Sequence, residues 1–462
     1  MDGSQPINTY LAGNFAPVGS EDDFSLEVVG GFPAALAGAF YRNGPNPQFA
    51  PRDDYHWFSG DGMIHGVFVE DGKVSYRNRY VRTPKWMAEN AAGQALFGTF
   101  GNPMTSDPSV MGKDGGVANT NIVWHAGALL ALEEGHKPTR LDPLSLETLG
   151  YADAYRGNVT AHPKIDPVTG EMVWFAYSSG EAPLNAQVSY GVTDKTGAVT
   201  RRDDFEAPYC SMVHDFLVTS GHVLFPILPL TGSLQRAMTG GPPFAWEPDK
   251  GAFIGVMARN AEVGSMRWFE VEPCYVFHPM NAWEEGTRII ADVMEYPQAP
   301  LFPNADGSRG LGAAARLVRW TLDLAADSNV VHREPLDDLA GEFPRFDERR
   351  TGLDYRHGWF AANTTSQREL GFDAIAHVDL KTGKRGVYAF PAGDVPGEPV
   401  FVPRSADAEE GDGWLVALAY RGAEDRSDFV VFDAQDVTAG PIGLAKVPRR
   451  VPFGFHGNWR PA

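Results

Sequence analysis

The chain has 462 residues, of which 43% are hydrophobic and 21% charged, with 51 Gly and 35 Pro; this composition excludes a disordered, collagen-like or disulfide-scaffold protein. Lys and Arg number 39 against 59 Asp and Glu, a formal net charge of -20, which repels phosphate backbones and anionic lipid and excludes nucleic acid as a partner. Cys210 and Cys274 are too few for a disulfide framework or a cysteine metal site. They suit a reducing compartment, and with no basic-then-apolar leader and no apolar run of ~18 residues the expected location is the cytoplasm.

In chain order, residues 66–80 (GVFVEDGKVSYRNRY) place Asp71-Gly72 between two alternating runs, a hairpin signal. Residues 85–97 carry Met, Ala and Leu at helical spacing and predict a helix. The hairpin arrangement returns at 164–178, 192–200, 217–227 and 378–390, each with a Gly-containing turn. The stretches 228–248 and 296–310 are too long and too rich in Pro and aromatic residues for tight turns, and 312–318 is a second helix candidate. Hairpins spread over the whole chain without a linker predict an all-β body. A β-propeller of ~7 blades, each of roughly 66 residues, satisfies this best, and a pair of β-sandwich domains is the alternative. The expected organisation is one domain over 1–462, with cap insertions at about 83–112, 228–250 and 296–312.

Four of the 12 His residues stand in distinctive surroundings: His162 in TAHPKIDPVTGE, His214 in SMVHDF, His278 in VFHPMNAWEEG and His456 in PFGFHGNW. Neutral imidazole is a common ligand of iron, copper and zinc. The four lie too far apart in the chain for a local metal motif, so a shared site needs a fold that brings distant strand ends to one axis, as a propeller does. Spacing alone leaves each of the four readable as a core or turn side chain.

Over nearly its whole length the chain resembles the carotenoid cleavage oxygenases, a family that includes stilbene- and phenylpropenoid-cleaving enzymes and a retinoid isomerase. The resemblance runs in family order through GAFYRNGPNPQF, WFSGDGMIHGV, YRNRYVRT, ANTN, LDPLSLETLG, TAHPKIDPVTGE, MVHDF, FHPMNAWEEG, GEFPR, GEPVFVPR, DRSDFVVFDA and PFGFHGNW. It implies a seven-bladed propeller with a cap of loops and short helices. It also implies one ferrous ion per chain, held by His162, His214, His278 and His456. Glu134, Glu342 and Glu398 are implied to hydrogen-bond His214, His278 and His456 respectively, which would fix each ring and make it more basic. Thr120 is implied to crowd the open coordination position. The implied reaction adds dioxygen across a conjugated carbon-carbon double bond to give two carbonyl products. No GxGxxG after a strand and no P-loop compete with this reading.

The substrate divides the reading. The stilbene branch of the family holds a 4-hydroxyphenyl ring with a Tyr and a Lys, and the matching positions here are Phe100 and Glu133. A buried phenol without partners costs ~1–3 kcal/mol, and a carboxylate opposes its ionisation. An apolar lining of Phe58, Phe100 and Trp124, with Trp57, Trp86 and Phe97 as further candidates, therefore favours an apocarotenoid. An aryl alkene is the alternative, followed by double-bond isomerisation and by a non-catalytic binding protein. Trp86, Met87, Leu96 and Phe97 are candidates for a weak peripheral membrane patch.

Overall fold

Asp71 and Gly72 both take positive φ, 50° and 70°, the two-residue turn whose twist matches flanking strands. It joins Gly62–Glu70 to Lys73–Tyr80 in an unbroken eight-pair register. The same grammar repeats around the molecule, a computed structural model that describes residues 8–52, 55–100, 103–310, 312, 314–365 and 371–462. Blade 1 comprises Asn121–His125, Ala128–Leu132, Thr139–Leu141 and Thr148–Tyr151. Blade 2 comprises Lys164–Ile165, Met172–Tyr177, Gln187–Thr193 and Val199–Glu206. Blade 3 comprises Leu217–Val218, His222–Ile227, Ala252–Ala258 and Arg267–Val271, and blade 4 Tyr275–Glu285, Arg288–Tyr296, Arg316–Asp323 and His332–Pro335. Blade 5 runs Ala340–Phe346, His357–Asn363, Ala374–Asp379 and Lys384–Ala389.

The last two blades close the ring by mixing the two ends of the chain. Blade 6 is built from Val400–Pro403, Gly413–Arg421, Arg426–Asp433 and Gly443–Val447, and the early strand Glu27–Gly30 adds to its outer edge. Blade 7 takes its innermost strand, Gly457–Pro461, from the end of the chain and pairs it with Gly38–Pro45. The apolar clusters lie in the seams between blades. Phe40 and Val67 meet Val416 and Val431 between blades 7 and 6, Val173 and Tyr190 meet Phe216 and Phe225 between blades 2 and 3, and Trp359 and Ile375 meet Leu415 and Val430 between blades 5 and 6. At about 1.5–3 kcal/mol per buried large side chain, the seams rather than the individual sheets hold the ring together.

The helix expected over 85–97 runs Pro84–Ala92, capped by the Thr83 hydroxyl and ended by Gly93 at φ 68°, a left-handed position that stops the helix short. The second expected helix, 312–318, is corrected. Arg316–Asp323 is a strand whose alternating burial and eight-residue pairing with Arg288–Tyr296 override the local pattern, while 311 and 313 lie outside the described residues. Of the three expected cap segments, 83–112 links blade 7 to blade 1, and its positions 101 and 102 lie outside the described residues. Within blade 3, 228–250 carries a hairpin of Leu230–Gly232 and Phe244–Trp246 around the short helix Leu234–Met238. The 296–312 segment touches it where the Trp246 N–H donates to the Pro303 carbonyl at 2.9 Å. Within the expected membrane patch Leu96 is buried, Trp86 and Phe97 are half-buried, and Met87 alone is exposed. No helix among the described residues is long and apolar enough to cross a membrane.

Candidate metal centre

Each blade's innermost strand begins at the axis, and the residues at or near those beginnings are Thr120, His162, His214, His278, Glu342, Glu398 and His456 for blades 1 to 7 in turn. Repetition of one supersecondary unit thus delivers seven chemically useful side chains to one place from positions spread over most of the chain. One nitrogen from each of His162, His214, His278 and His456 lies within 4.8 Å of the other three. The Nε2 atoms of His162 and His214 are 3.0 Å apart, and those of His214 and His278 3.1 Å.

The outward-facing Nδ1 atoms meet carboxylates. His214 pairs with Glu134, His278 with Glu342 at 2.5 Å, and His456 with Glu398 at 3.0 Å. Each carboxylate is fixed in turn, and differently. Tyr177 donates its hydroxyl to Glu134 at 2.5 Å. The Phe343 N–H donates to Glu342 at 2.6 Å, and the Tyr296 hydroxyl, kept protonated by burial, lies against the same group. Glu398 accepts the Gly457 N–H at 2.8 Å and faces the Arg345 guanidinium at 3.3 Å. Burial alone would raise the Glu398 pKa, but Arg345 and His456 outweigh it and hold it at about 2. Among the imidazoles, burial pushes His162, His278 and His456 down, and for His162 the other three rings add to the effect. Burial also disfavours the charged His214, but the Glu134 carboxylate outweighs it and raises the pKa.

Irregular backbone does part of the aiming. The strand carrying His278 breaks register on both sides of Pro279, and the one carrying Glu342 bulges between Glu342 and Arg345, with Phe343 at φ 54°. A bulge re-aims a side chain that regular pleating would send to the opposite face, and a left-handed non-glycine residue is kept only where the surroundings dictate it. Phe343 stacks on His278, ring centroids 5.3 Å apart, and lies edge-on to His456 at 5.1 Å. Phe277 packs edge-on to His214 at 5.1 Å.

A row of rings leads away from this group. Phe455, the residue before His456, contacts Phe58 at 5.7 Å and Trp57 at 4.6 Å; Phe58 meets Phe100 at 5.5 Å and His56 at 4.4 Å. The structure therefore brings Phe58 and Phe100 together. It places Trp124 elsewhere, under the Arg460 guanidinium and against the blade 7 to blade 1 seam of Tyr41, Ile64 and Leu129. Trp124 lies four residues along the chain from Thr120, in the strand Asn121–His125, which carries it down the sheet, away from the axial end where Thr120 sits. Glu133 turns its carboxylate to the N–H groups of Val117 and Ala118, at 2.7 and 3.3 Å, and to His136 at 2.9 Å. The Thr120 hydroxyl donates to Asn119 at 3.0 Å, and its carbonyl accepts the His456 N–H at 3.1 Å.

Sequence reasoning misses Asp215, Lys164, Tyr177, Tyr296, Arg345, Phe343 and Phe455, all of which touch the histidines, their carboxylates or the rings beside them. The available signals are the carboxylate directly after His214, the Phe directly before His456, and Phe-Pro after Glu342, a pairing suited to a bulge because Pro lacks an N–H.

Four mainly neutral imidazoles turned inward, with carboxylates behind three of them, form a donor set suited to a divalent first-row transition metal. A ring of blade strands converging on such a set defines a β-propeller with one axial four-histidine site positioned to hold a metal. The chain belongs to the family described as retinal pigment epithelial membrane protein, whose model matches residues 15–461, the same family as the carotenoid cleavage oxygenases and a family of alkene-cleaving dioxygenases. It is 38% identical to the isoeugenol monooxygenase of Pseudomonas putida over 97% of both chains. Among solved structures it matches the lignostilbene dioxygenase of Pseudomonas brassicacearum with a TM-score of 0.94 and 36% identity, covering 99% of this chain and 100% of that one. The apocarotenoid oxygenase of Synechocystis matches with a TM-score of 0.87 and 31% identity over 97% and 98%.

Proposed function

We propose that this chain is a non-haem iron(II) dioxygenase that cleaves the conjugated double bond of an aryl alkene to two carbonyl products. The observation that carries this reading is the neutral His56 beside the aromatic row Phe455, Phe58 and Phe100. The row begins one residue from His456 and suits any flat conjugated system, and the imidazole gives it a polar end suited to a substituted aryl ring. The greater similarity to enzymes named for isoeugenol and lignostilbene than to the apocarotenoid oxygenase supports the aryl class. It displaces the apocarotenoid as first choice. The apocarotenoid stands as the second reading, favoured by Phe100 and by a Glu133 committed to backbone amides and His136.

In this reading His162, His214, His278 and His456 would hold a ferrous ion, which when bound would activate dioxygen toward a closed-shell alkene with no net loss of electrons from the metal. Glu134, Glu342 and Glu398 keep the Nδ1 protons outside and the Nε2 lone pairs inside. Thr120 borders the blade 1 side, from which no histidine comes. Phe58, Phe100, Phe343 and Phe455 exclude water and orient the alkene. The atoms balance without a further reductant: one alkene and one dioxygen give two aldehydes or ketones, each carrying one oxygen atom.

His56 supplies the polar contact that the missing Tyr and Lys would have made. Burial pushes its pKa down to about 4, so the ring is neutral. Its Nδ1 accepts the Phe58 N–H at 3.2 Å, which leaves the proton on Nε2 as a donor beside the rings of Phe58 and Phe100. Incubation of the iron-loaded protein under labelled dioxygen with hydroxystilbenes, propenyl phenols and apocarotenals, followed by mass spectrometry, tests the assignment. Labelled aryl aldehydes are expected; labelled fragments from the apocarotenals alone would replace the aryl reading by the second, and no fragments from any substrate would refute both.

A further inference from the structure

Three of the four histidines are backed by a glutamate at hydrogen-bonding distance, and the fourth is not. His162 faces Asp215, but its Nδ1 stands 3.7 Å from Oδ2, beyond the range of a hydrogen bond. The Asp215 carboxylate is buried and fully engaged on its other sides. Lys164 Nζ lies 2.7 Å from Oδ1 and 3.0 Å from Oδ2, and the Phe216 N–H donates to Oδ1 at 2.7 Å. Lys164 opens the short strand Lys164–Ile165 two residues after His162, and both side chains face the same carboxylate. Asp215 is the sole ion-pair partner of Lys164 among the described residues.

We propose that Lys164 is a positioning residue that competes with His162 for Asp215, holding the carboxylate back and leaving His162 the least strongly supported of the four ligands. A carboxylate on the far nitrogen makes an imidazole a stronger donor, and a carboxylate already neutralised by a directly bonded ammonium has little of that effect left to give. The centre is therefore asymmetric by construction: three ligands are buttressed, and the one from blade 2 is loosened by a lysine that no metal contacts. This inference rests on the reading of the four histidines as metal ligands.

The two partners have opposite effects, which sets the test. Co(II), whose visible ligand-field bands report the strength and number of its ligands, is titrated into the metal-free protein and into the Lys164→Met and Asp215→Asn variants. Lys164→Met frees Asp215 to close on His162, so Co(II) binds at least threefold tighter with shifted bands, and a crystal structure shows Oδ2 and Nδ1 drawn together into hydrogen-bonding range. Asp215→Asn leaves the Lys164 ammonium uncompensated beside the centre, and its repulsion of a cation weakens Co(II) binding. Lys164→Gln gives the same direction as Lys164→Met if the methionine variant fails to fold. Weaker or unchanged binding in the Lys164 variants overturns the proposal, since a merely structural ion pair loosens the site whichever partner is removed. A wild-type protein that binds no Co(II) refutes the metal reading itself, separately from the roles of Lys164 and Asp215.

Discussion

At the scale of single residues, the centre separates donor strength from donor position. The imidazoles supply the lone pairs, while the groups behind them decide how firmly each ring stands: Arg345 and a backbone N–H for Glu398, and a tyrosine hydroxyl for Glu134. In the proposed reading the aromatic row follows the same logic with His56. Replacing it by Phe keeps the ring contacts with Phe58 and Phe100 and removes the Nε2 donor. A neutral hydrogen bond is worth about 1 kcal/mol, so His56→Phe is expected to raise KM for a hydroxylated aryl alkene by about fivefold. KM for its O-methyl ether and kcat for both should stay near the wild-type values. Steady-state kinetics on the pair of substrates checks this; equal changes for both would remove His56 from substrate recognition.

At the scale of elements, the cap is tied to the propeller by buried charge. Lys85, on the first turn of the helix Pro84–Ala92, donates to Asp61 at 2.7 Å and Glu89 at 2.8 Å. Glu89 in turn accepts the N–H groups of Leu96 and Phe97 at 2.8 and 2.9 Å. Lys85→Met strands two buried carboxylates, at a cost of about 3–5 kcal/mol, and releases the segment leading to Phe100. A fall in melting temperature accompanied by faster proteolysis within 93–100 is expected. The segment that enters blade 1 has a second tie, through His136, which lies 2.9 Å from Glu133 and 3.3 Å from Asp114. Burial lowers its pKa, but Glu133 and Asp114 outweigh burial and raise it to about 9. A folded pKa above the unfolded value of ~6.5 means that this stabilisation is complete below pH 6.5 and is lost as pH rises through 9. Melting temperatures between pH 6.5 and 9.5 should fall more steeply for the wild type than for His136→Gln. Such hairpins are legible in the sequence because turn chemistry is local: Asp71-Gly72 acts through its own φ angles, whereas the periodicity that predicts a helix over 85–97 runs past its stop at Gly93. The strand Arg316–Asp323 is not legible, because the partner that makes it a strand, Arg288–Tyr296, lies across a long intervening loop. The histidines are legible only through family motifs, Asp215 and Phe343 only as chain neighbours of motif residues, and Tyr177 not at all, because each acquires its role when separate blades close on the axis.

At the scale of the whole molecule, the ring closes through its last strand, and that strand follows His456 directly. Gly457–Pro461 pairs with Gly38–Pro45 over five positions. Asn458 donates to Asn121 and to the Ile122 carbonyl of blade 1 at 3.1 and 2.8 Å. It accepts from Arg345 of blade 5 at 2.8 Å, while the Gly457 N–H holds Glu398 of blade 6. One short strand therefore fastens four blades and fixes both His456 and the carboxylate behind it, so ring closure and site assembly are one event. A ligand that binds only the folded state raises stability by RT ln(1 + [L]/Kd), so in the wild type the melting temperature should climb with added Fe(II) or Co(II). Deleting 457–462 leaves His456 in the chain but removes its support. The truncated protein is expected to melt lower without metal and to gain nothing when metal is added. Asn458→Ala removes the polar ties and leaves the strand pairing, costing roughly 1–3 kcal/mol while keeping most of the metal-dependent rise. Thermal melts of the three proteins with and without metal separate the possibilities. If the truncated chain still gained the wild-type increment, the centre would have to assemble before the ring closes, and the coupling read from the C-terminal strand would be wrong.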